Sequence, residues 1–148
     1  RDKGRSRLEQ TSGVIRDNLI AFCSDVGIYL NKASKSVVEH NTLLDTAGID
    51  VRFPESSAEL AANLIDGRMG ARDGGTIRDR GNGVGSLLGL FVGSHPVRDL
   101  YRDPANLDLV WVTRPLTPGV AKDRPDLCGQ ARPATPLAGA FQDYGPCK

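Results

Sequence analysis

The sequence predicts an all-β chain that winds as a parallel solenoid of about three to four coils, followed by an irregular tail. The main observation is an internal repeat. Residues 14–20 return as residues 37–43 and again, more loosely, as residues 59–65. A period of about 22 residues is typical of solenoids, in which each repeat forms one coil stacked on the next.

Equivalent positions of the repeat carry chemically similar side chains. Three sets of positions show this: Ile15, Val38 and Leu60; Ile20, Leu43 and Ile65; and Asn18, Asn41 and Asn63. Because stacked coils place like residues over like residues, we expect parallel sheets between them. The three Asn residues are predicted to be structural, either as stacked amides that hydrogen-bond to one another or as turn residues in the left-handed conformation.

Short strands are predicted within each coil. In Ile28-Tyr29-Leu30 and again in Ile49-Asp50-Val51, apolar residues alternate with outward ones. This period of two marks a strand with one buried face. Helices need apolar residues at i, i+3, i+4 and i+7, and no stretch keeps that spacing beyond two turns.

The coils are predicted to occupy residues 1–95. Residues 13–34 and 36–57 form two clean coils, and a third begins at Glu59. Its register is predicted to fail after Gly67, so that the Gly-, Arg- and Asp-rich residues 68–83 form a long turn or an irregular coil. Asn82 then restarts the pattern before the apolar residues 87–92.

A tail is predicted over residues 96–148. Eight of the nine prolines lie at or after Pro96, and proline cannot donate a ladder hydrogen bond. Residues 107–112 are the one strand-like run there. We expect the tail to lie over the last coil and to cover the open end of the core.

The repeat and the tail together resemble a known group of proteins. Asn-x-Ile or Asn-x-Leu after a short apolar strand, followed by Gly-Ile before another strand, resembles the right-handed parallel β-helix of pectate-lyase-like proteins over roughly residues 12–93. Residues 126–133 and 136–142 are similar to the closing segment of many secreted β-helix proteins. Such segments usually end Gly-Ala-aromatic-Glu, where this chain has Gln142.

The first coil is expected to have a partner. The chain opens with a charged segment that does not resemble a solenoid cap, and an open end exposes core and unpaired strand edges. The sequence therefore predicts the C-terminal part of a longer solenoid. Its first coil would stack on upstream coils or on a second chain.

Three cysteines leave at least one unpaired thiol. Cys128 and Cys147 both lie in the tail and can form a disulfide, which would stabilise a segment with little regular structure. Cys23 would then be a small buried hydrophobic residue, since no base is evident for a nucleophile. A disulfide would agree with a secreted or periplasmic protein.

Composition argues against several classes of partner. The net charge is +1 and aromatic residues make up 5% of the chain, so neither a field nor a stacking surface for nucleic acid is expected. A membrane partner is not expected either, because no apolar run reaches the length of a bilayer span.

Outward side chains of one parallel sheet are the expected functional site. They would form a long groove suited to polymers, above all polysaccharides. The outward candidates are Asp25, Tyr29, Asn31, Lys32, Asp45, Asp50, Arg52 and Asp66. Among them Tyr29, Asn31 and Asp50 are predicted to bind substrate.

A second, more limited resemblance assigns possible chemistry. Residues 32–36, Asn41-Thr42-Leu43 and residues 48–52 are similar to a stretch of the chondroitinase-B and alginate-lyase family, in which a Lys lies nine residues before Asn-Thr. The resemblance implies that Lys32 removes the proton at C5 of a uronate and that Arg52 assists at the leaving oxygen. The Gly-to-Arg spacing here is one residue shorter than in that family.

A cofactor enters only through this resemblance. In that family a calcium ion, where present, neutralises the uronate carboxylate, because a proton α to a carboxylate is abstractable only once its charge is offset. Asp25 stands where an acidic residue would help to bind such a cation. The residues themselves predict no cofactor, and no Cys/His spacing suits zinc.

Non-catalytic interpretations remain open. Asp45 and Asp66, one coil apart, could act as acid and base but also fit solvated surface charge. His40 is expected to be structural and His95 exposed. The whole segment could be a non-catalytic module for adhesion or glycan binding, since a shared fold does not establish activity.

Overall fold

The computed structural model describes residues 8–84 and 95–147. It is all-β, a parallel β-solenoid of four stacked coils with a C-terminal tail, and the predicted fold class is confirmed. Residues 1–7 and the apolar run at 87–92 lie outside the described residues.

Three parallel sheets run along the solenoid, with strands numbered in chain order. The first sheet contains β2 (Val14–Arg16), β6 (Ser36–Glu39), β9 (Ser57–Ala61) and β12 (Thr76–Asp79). The second contains β3 (Leu19–Ala21), β7 (Thr42–Leu44), β10 (Leu64–Ile65) and β13 (Gly83–Val84). The third contains β4 (Ile28–Asn31), β8 (Gly48–Arg52) and β11 (Arg68–Arg72), and at one corner β1 (Gln10–Thr11) pairs with β5 (Ala33–Ser34).

The register between coils follows the repeat. Ile15 pairs with Val38 and Val38 with Leu60, and the second apolar set pairs in the same way. These side chains point inward and form the solenoid core, in which Val38 and Leu60 are fully buried. The predicted columns are therefore confirmed.

The third coil keeps its register beyond Gly67, so the prediction of an irregular segment at residues 68–83 was wrong. β11 pairs with β8 over five residues, and β12 pairs with β9 over four. The pattern is hard to read because small residues replace large ones: Ala71 lies beside Val51, and Gly70 lies beside Asp50.

An asparagine ladder joins the first and second sheets at every coil. Each side-chain amide donates to the carbonyl oxygen of the next: Asn18 to Asn41 at 2.9 Å, Asn41 to Asn63 at 3.0 Å, and Asn63 to Asn82 at 2.8 Å. Asn82 is thus a fourth rung. The left-handed conformation falls on the preceding residues instead, which are Asp17, His40, Ala62 and Gly81.

The tail adds a small antiparallel sheet. Its strands are β14 (Tyr101–Asp103), β15 (Asp108–Trp111) and β16 (Tyr144–Gly145), and short 3-10 helices occupy Arg98–Leu100 and Pro104–Asn106. The strand-like run predicted at residues 107–112 is confirmed by β15. Tyr101 stacks on Trp111 with ring centroids 4.6 Å apart.

The tail packs along the side of the solenoid, rather than only over the last coil as the sequence predicts. Outward residues of the second sheet, such as Leu44 and Leu64, share a second core with Tyr101, Leu109 and Phe141 of the tail. The reason is that the second sheet is apolar on both faces. All three residues of β7 are buried.

Ion pairs also attach the tail to the first coil. The Asp17 carboxylate accepts hydrogen bonds from Arg124 and Arg132, each at 2.8 Å. Arg124 also pairs with Glu39 at 3.1 Å. Since the Arg132 side chain is fully buried, its charge depends on Asp17 for neutralisation.

His40 ties the tail to the second coil, which confirms its structural role. Its buried ring places Nδ1 3.0 Å from the Gly139 carbonyl oxygen, while Nε2 lies 3.0 Å from the amide nitrogens of Val120 and Ala121. Because two N–H groups donate to Nε2, the proton is on Nδ1 and the ring is neutral. Burial lowers the pKa of His40.

The cysteines divide between the tail and the first coil. Cys128 and Cys147 form a disulfide across 19 residues of the tail. Cys23 is a free thiol and is half-buried, so it is more accessible than the sequence predicts.

Replacing Asn41 by Ala should destabilise the solenoid strongly. Its side chain takes part in five hydrogen bonds, and each buried group left unpaired costs about 1–3 kcal/mol. Asn18→Ala is the matched control, since Asn18 is exposed at the end of the ladder and should cost below about 1 kcal/mol. Urea unfolding measures both, and equal losses would contradict the ladder.

Tail docking should weaken as the pH falls. The pKa of His40 is lower in the folded state than its unfolded value of 6.5. The stability that neutral His40 contributes is therefore fully present above pH 6.5. It is lost as the pH falls from 6.5 towards the lower pKa of the folded state. Protonation at Nε2 would also remove the acceptor used by the tail.

Unfolding free energies at several pH values, compared with His40→Gln, measure this effect. Asp66, whose pKa is raised by burial, titrates with the opposite sign in both proteins, so the difference reports His40. A pH dependence that is identical in the two proteins would rule this contribution out.

Candidate functional site

The outward face of the third sheet gathers all three residues predicted to bind substrate. Tyr29 lies beside Asp50, and Asn31 lies beside Arg52, because β4 and β8 pair in register. The alternate residues of these strands point into the core. The period-two pattern thus places Tyr29, Asn31, Asp50 and Arg52 on one surface.

Arg72 completes this surface in the next coil. It follows Arg52 in the same column, and its Nε lies 2.7 Å from Asp50 Oδ2. The Asp50 side chain is 8% exposed while that of Arg72 is 47% exposed, so the guanidinium covers the carboxylate. Sequence reasoning missed Arg72 because it did not recognise the register of β11.

Arg52 is held by three neighbours. Its Nε pairs with Asp73 Oδ2, and its guanidinium carbon lies 4.6 Å from the centroid of the Phe53 ring. Hydrogen bonds to Asp73 and to Tyr29 raise the pKa of Arg52. The guanidinium is consequently fixed in position, with its charge already offset by a carboxylate.

Two buried acceptor oxygens on this surface have no donor among the described residues. They are Oδ1 of Asn31 and Oδ1 of Asp50. A buried acceptor without a hydrogen bond costs free energy, which a hydroxyl donor would recover if the side chains that cover the acceptor moved aside. Tyr29, which is 43% exposed, lies on the same face, in the strand of Asn31 and beside Asp50.

Lys32 lies at the corner that follows β4. It adopts a left-handed conformation (φ 53°), and its carbonyl oxygen accepts a hydrogen bond from the Glu9 amide. Because Asn31 pairs with Arg52, Lys32 is one position beyond Arg52 on the neighbouring coil. Within residues 8–84 and 95–147 the Lys32 side chain has no ion pair.

Asp25 is not surrounded by other candidate metal ligands among the described residues. Its Oδ1 accepts a hydrogen bond from the next amide, that of Val26, at 2.8 Å. Nowhere in the described ranges do three or more His, Cys, Asp or Glu side chains come close enough to hold a metal ion. The described residues therefore offer no preformed carboxylate cluster for a calcium ion, and no chemical step is assigned to one.

Asp66 is buried beneath the tail, so the prediction that it is an accessible outward residue was wrong. Its carboxylate accepts hydrogen bonds from the amides of Asp45, Val97 and Arg98 at 3.0, 2.8 and 3.1 Å. Burial raises the pKa of Asp66 despite these bonds. Because the tail covers it, Asp66 cannot act with Asp45 on a polymer.

His95 is also more enclosed than predicted. Its side chain is 14% exposed, and Nδ1 lies 3.5 Å from Asp45 Oδ1. This contact joins the start of the described tail to the second coil. The prediction that His95 is simply exposed was wrong.

Comparisons with known proteins do not identify the family of this chain. In the described residues, no helix is long and apolar enough to cross a membrane. No family model matches the chain, and no significant match is found among curated proteins or solved structures.

Proposed function

We propose that this chain binds an extended polysaccharide along the outward face of the third sheet, without cleaving it. The observation that carries the proposal is the pair of buried acceptors, Asn31 Oδ1 and Asp50 Oδ1, that have no donor in the described chain. A sugar hydroxyl would donate to these acceptors once the side chains that cover them, such as Arg72 over Asp50, move aside. The neighbouring Arg–Asp pairs offer further donors and acceptors in fixed positions.

The shape of the face favours a polymer over a small molecule. Equivalent positions recur at each coil, about 4.8 Å apart, so contacts repeat along the solenoid axis. Tyr29 adds an exposed ring on which a sugar can pack, as aromatic side chains combine apolar area with a polar group. Polysaccharide is therefore the class of partner for which this face is suited.

The charges favour binding over elimination. A lyase must offset the uronate carboxylate before a base can remove the adjacent proton. On this face Arg52 and Arg72 are already paired with Asp73 and Asp50. A non-catalytic module for glycan binding or adhesion is therefore the better-supported function.

A uronate-polysaccharide lyase is the second candidate. The observation that favours it is the placement of Lys32 one position beyond Arg52 on adjacent coils. In this mechanism Lys32 would take the C5 proton while the C4–O bond breaks, leaving a C4–C5 double bond. Arg52 would stabilise the negative charge on the departing oxygen, which would take a proton from water.

Partners and location follow as parts of the same proposal. At the N-terminal edge, the core residues Ile15 and Ile20 are only half-buried, whereas Val38 and Leu43 are fully buried. Upstream coils or a second chain would complete this burial. Export to the periplasm or the exterior agrees with the Cys128–Cys147 disulfide.

Binding should depend on the third sheet. We expect Tyr29→Ala and Arg72→Ala each to weaken binding to pectate, alginate or chondroitin sulfate by about tenfold, which corresponds to about 1.4 kcal/mol. Affinity electrophoresis with each polymer measures this. Arg102→Ala, which breaks an Arg–Asp pair of the tail, is the matched control and should bind normally.

The same polymers separate the two candidates. A rise in ultraviolet absorbance from an unsaturated uronate, lost in Lys32→Ala, would establish the lyase and contradict the non-catalytic proposal. Binding without such a rise would exclude the lyase. If the chain binds none of the three polymers and no neutral glucan, both candidate functions are overturned.

A further inference from the structure

The outward face of the first sheet carries a groove that is separate from the proposed polymer face on the third sheet. Its volume is about 340 Å³, at the lower end of the range of about 300–1,000 Å³ that is typical of ligand pockets. Its lining includes Lys35, Val37, Ser57, Glu59, Thr76 and Arg78. They come from three successive coils.

The parallel register arranges these residues in two columns. Val37 lies beside Glu59 and Glu59 beside Arg78, while Ser57 lies beside Thr76. Lys35 stands at the head of the groove, where its amide donates to Ser57 Oγ at 2.8 Å. The hydroxyl proton of Ser57 therefore remains available for another acceptor.

The groove holds two cations, Lys35 and Arg78, that form no ion pair with any described residue. Register places Glu59 opposite Arg78, but the Glu59 carboxylate instead pairs with Arg80, with Oε1 2.9 Å from Nη1. Within the part of the chain that the structure describes, neither Arg78 nor Lys35 has a carboxylate partner. The one acidic group of the groove is thus neutralised from outside it.

The spacing of the cations suits one sugar residue. Lys35 belongs to the second coil and Arg78 to the fourth, so their strands are about 10 Å apart. Both side chains are long enough to converge over the strand between them. Val37 supplies an apolar surface on the same face.

We propose that this groove binds an anionic sugar residue. Its carboxylate or sulfate group lies between Lys35 and Arg78, and its ring packs on Val37. Its hydroxyls bond to Ser57 and Thr76. This site is independent of the polymer face on the third sheet, since none of its residues belongs to that sheet.

Nuclear magnetic resonance titration of the full chain tests the proposal. Galacturonate is the probe, with galactose and sodium sulfate as the neutral and the sugar-free arms. We expect galacturonate to shift the backbone amides of Lys35, Ser57 and Thr76, and galactose to shift them far less. The double variant Lys35→Gln, Arg78→Gln should weaken binding by about fivefold for each charge removed.

Arg16→Gln is the matched control, because Arg16 is an exposed cation on the same sheet outside the groove. It should leave the affinity unchanged. An equal loss in this control, or no shift with galacturonate, would overturn the proposal. Sulfate binding as tightly as galacturonate would reduce the groove to a simple anion site and overturn the sugar assignment.

Thermal unfolding of the variants checks the fold, which we expect to be retained because these side chains are at the surface. The variants leave Tyr29 and Arg72 intact. A failure here therefore leaves the proposed polymer face standing, and the reverse also holds.

Discussion

The side-chain amides of Asn18, Asn41, Asn63 and Asn82 set the register on which the other contacts depend. Each amide also bonds to backbone carbonyl groups, for example Asn63 to Val38 and Asn82 to Leu60. A shift of one residue between coils would break the ladder and turn every inward side chain outward. The ladder therefore fixes both the core and the outward columns.

The three sheets have different roles because their outward faces differ in chemistry. The second sheet is apolar on both sides and is covered by the tail. The third presents charged and amide groups in pairs, and the first leaves Lys35 and Arg78 without partners in the described chain. Regular stacking converts a one-dimensional sequence pattern into three surfaces with separate chemistry.

The fold could be predicted because the repeat carries its own evidence: two sets of apolar residues and one of Asn recur at nearly constant spacing. The end of the third coil was harder to predict because β11 contains Gly70, and the fourth coil because the Asn63–Asn82 step is only 19 residues. The position of the tail was hard to predict because it depends on contacts between residues about 100 positions apart, such as Asp17 with Arg132. A run like Thr42-Leu43-Leu44, apolar on both faces, was the one local signal for it.

The sequence predicted several residues of the site, but it predicted neither Arg72 nor the ion pairs of the site. Alternation along β4 and β8 placed Tyr29 and Asp50 on one face, but the partners Arg72 and Asp73 belong to the coil whose register was missed. Burial of Asp66 could not be foreseen either, because the groups that donate to it, the amides of Val97 and Arg98, come from the tail.

The lateral path of the tail changes how this solenoid can vary in length. In ordinary repeat proteins each coil contacts only its neighbours, so a coil can be gained or lost and the ends can unfold first. Here one segment grips the first coil through Asp17 and the third through Asp66. Because the tail spans a fixed distance between these two contacts, the number of coils beneath it cannot change. Those coils should therefore unfold together as one cooperative unit.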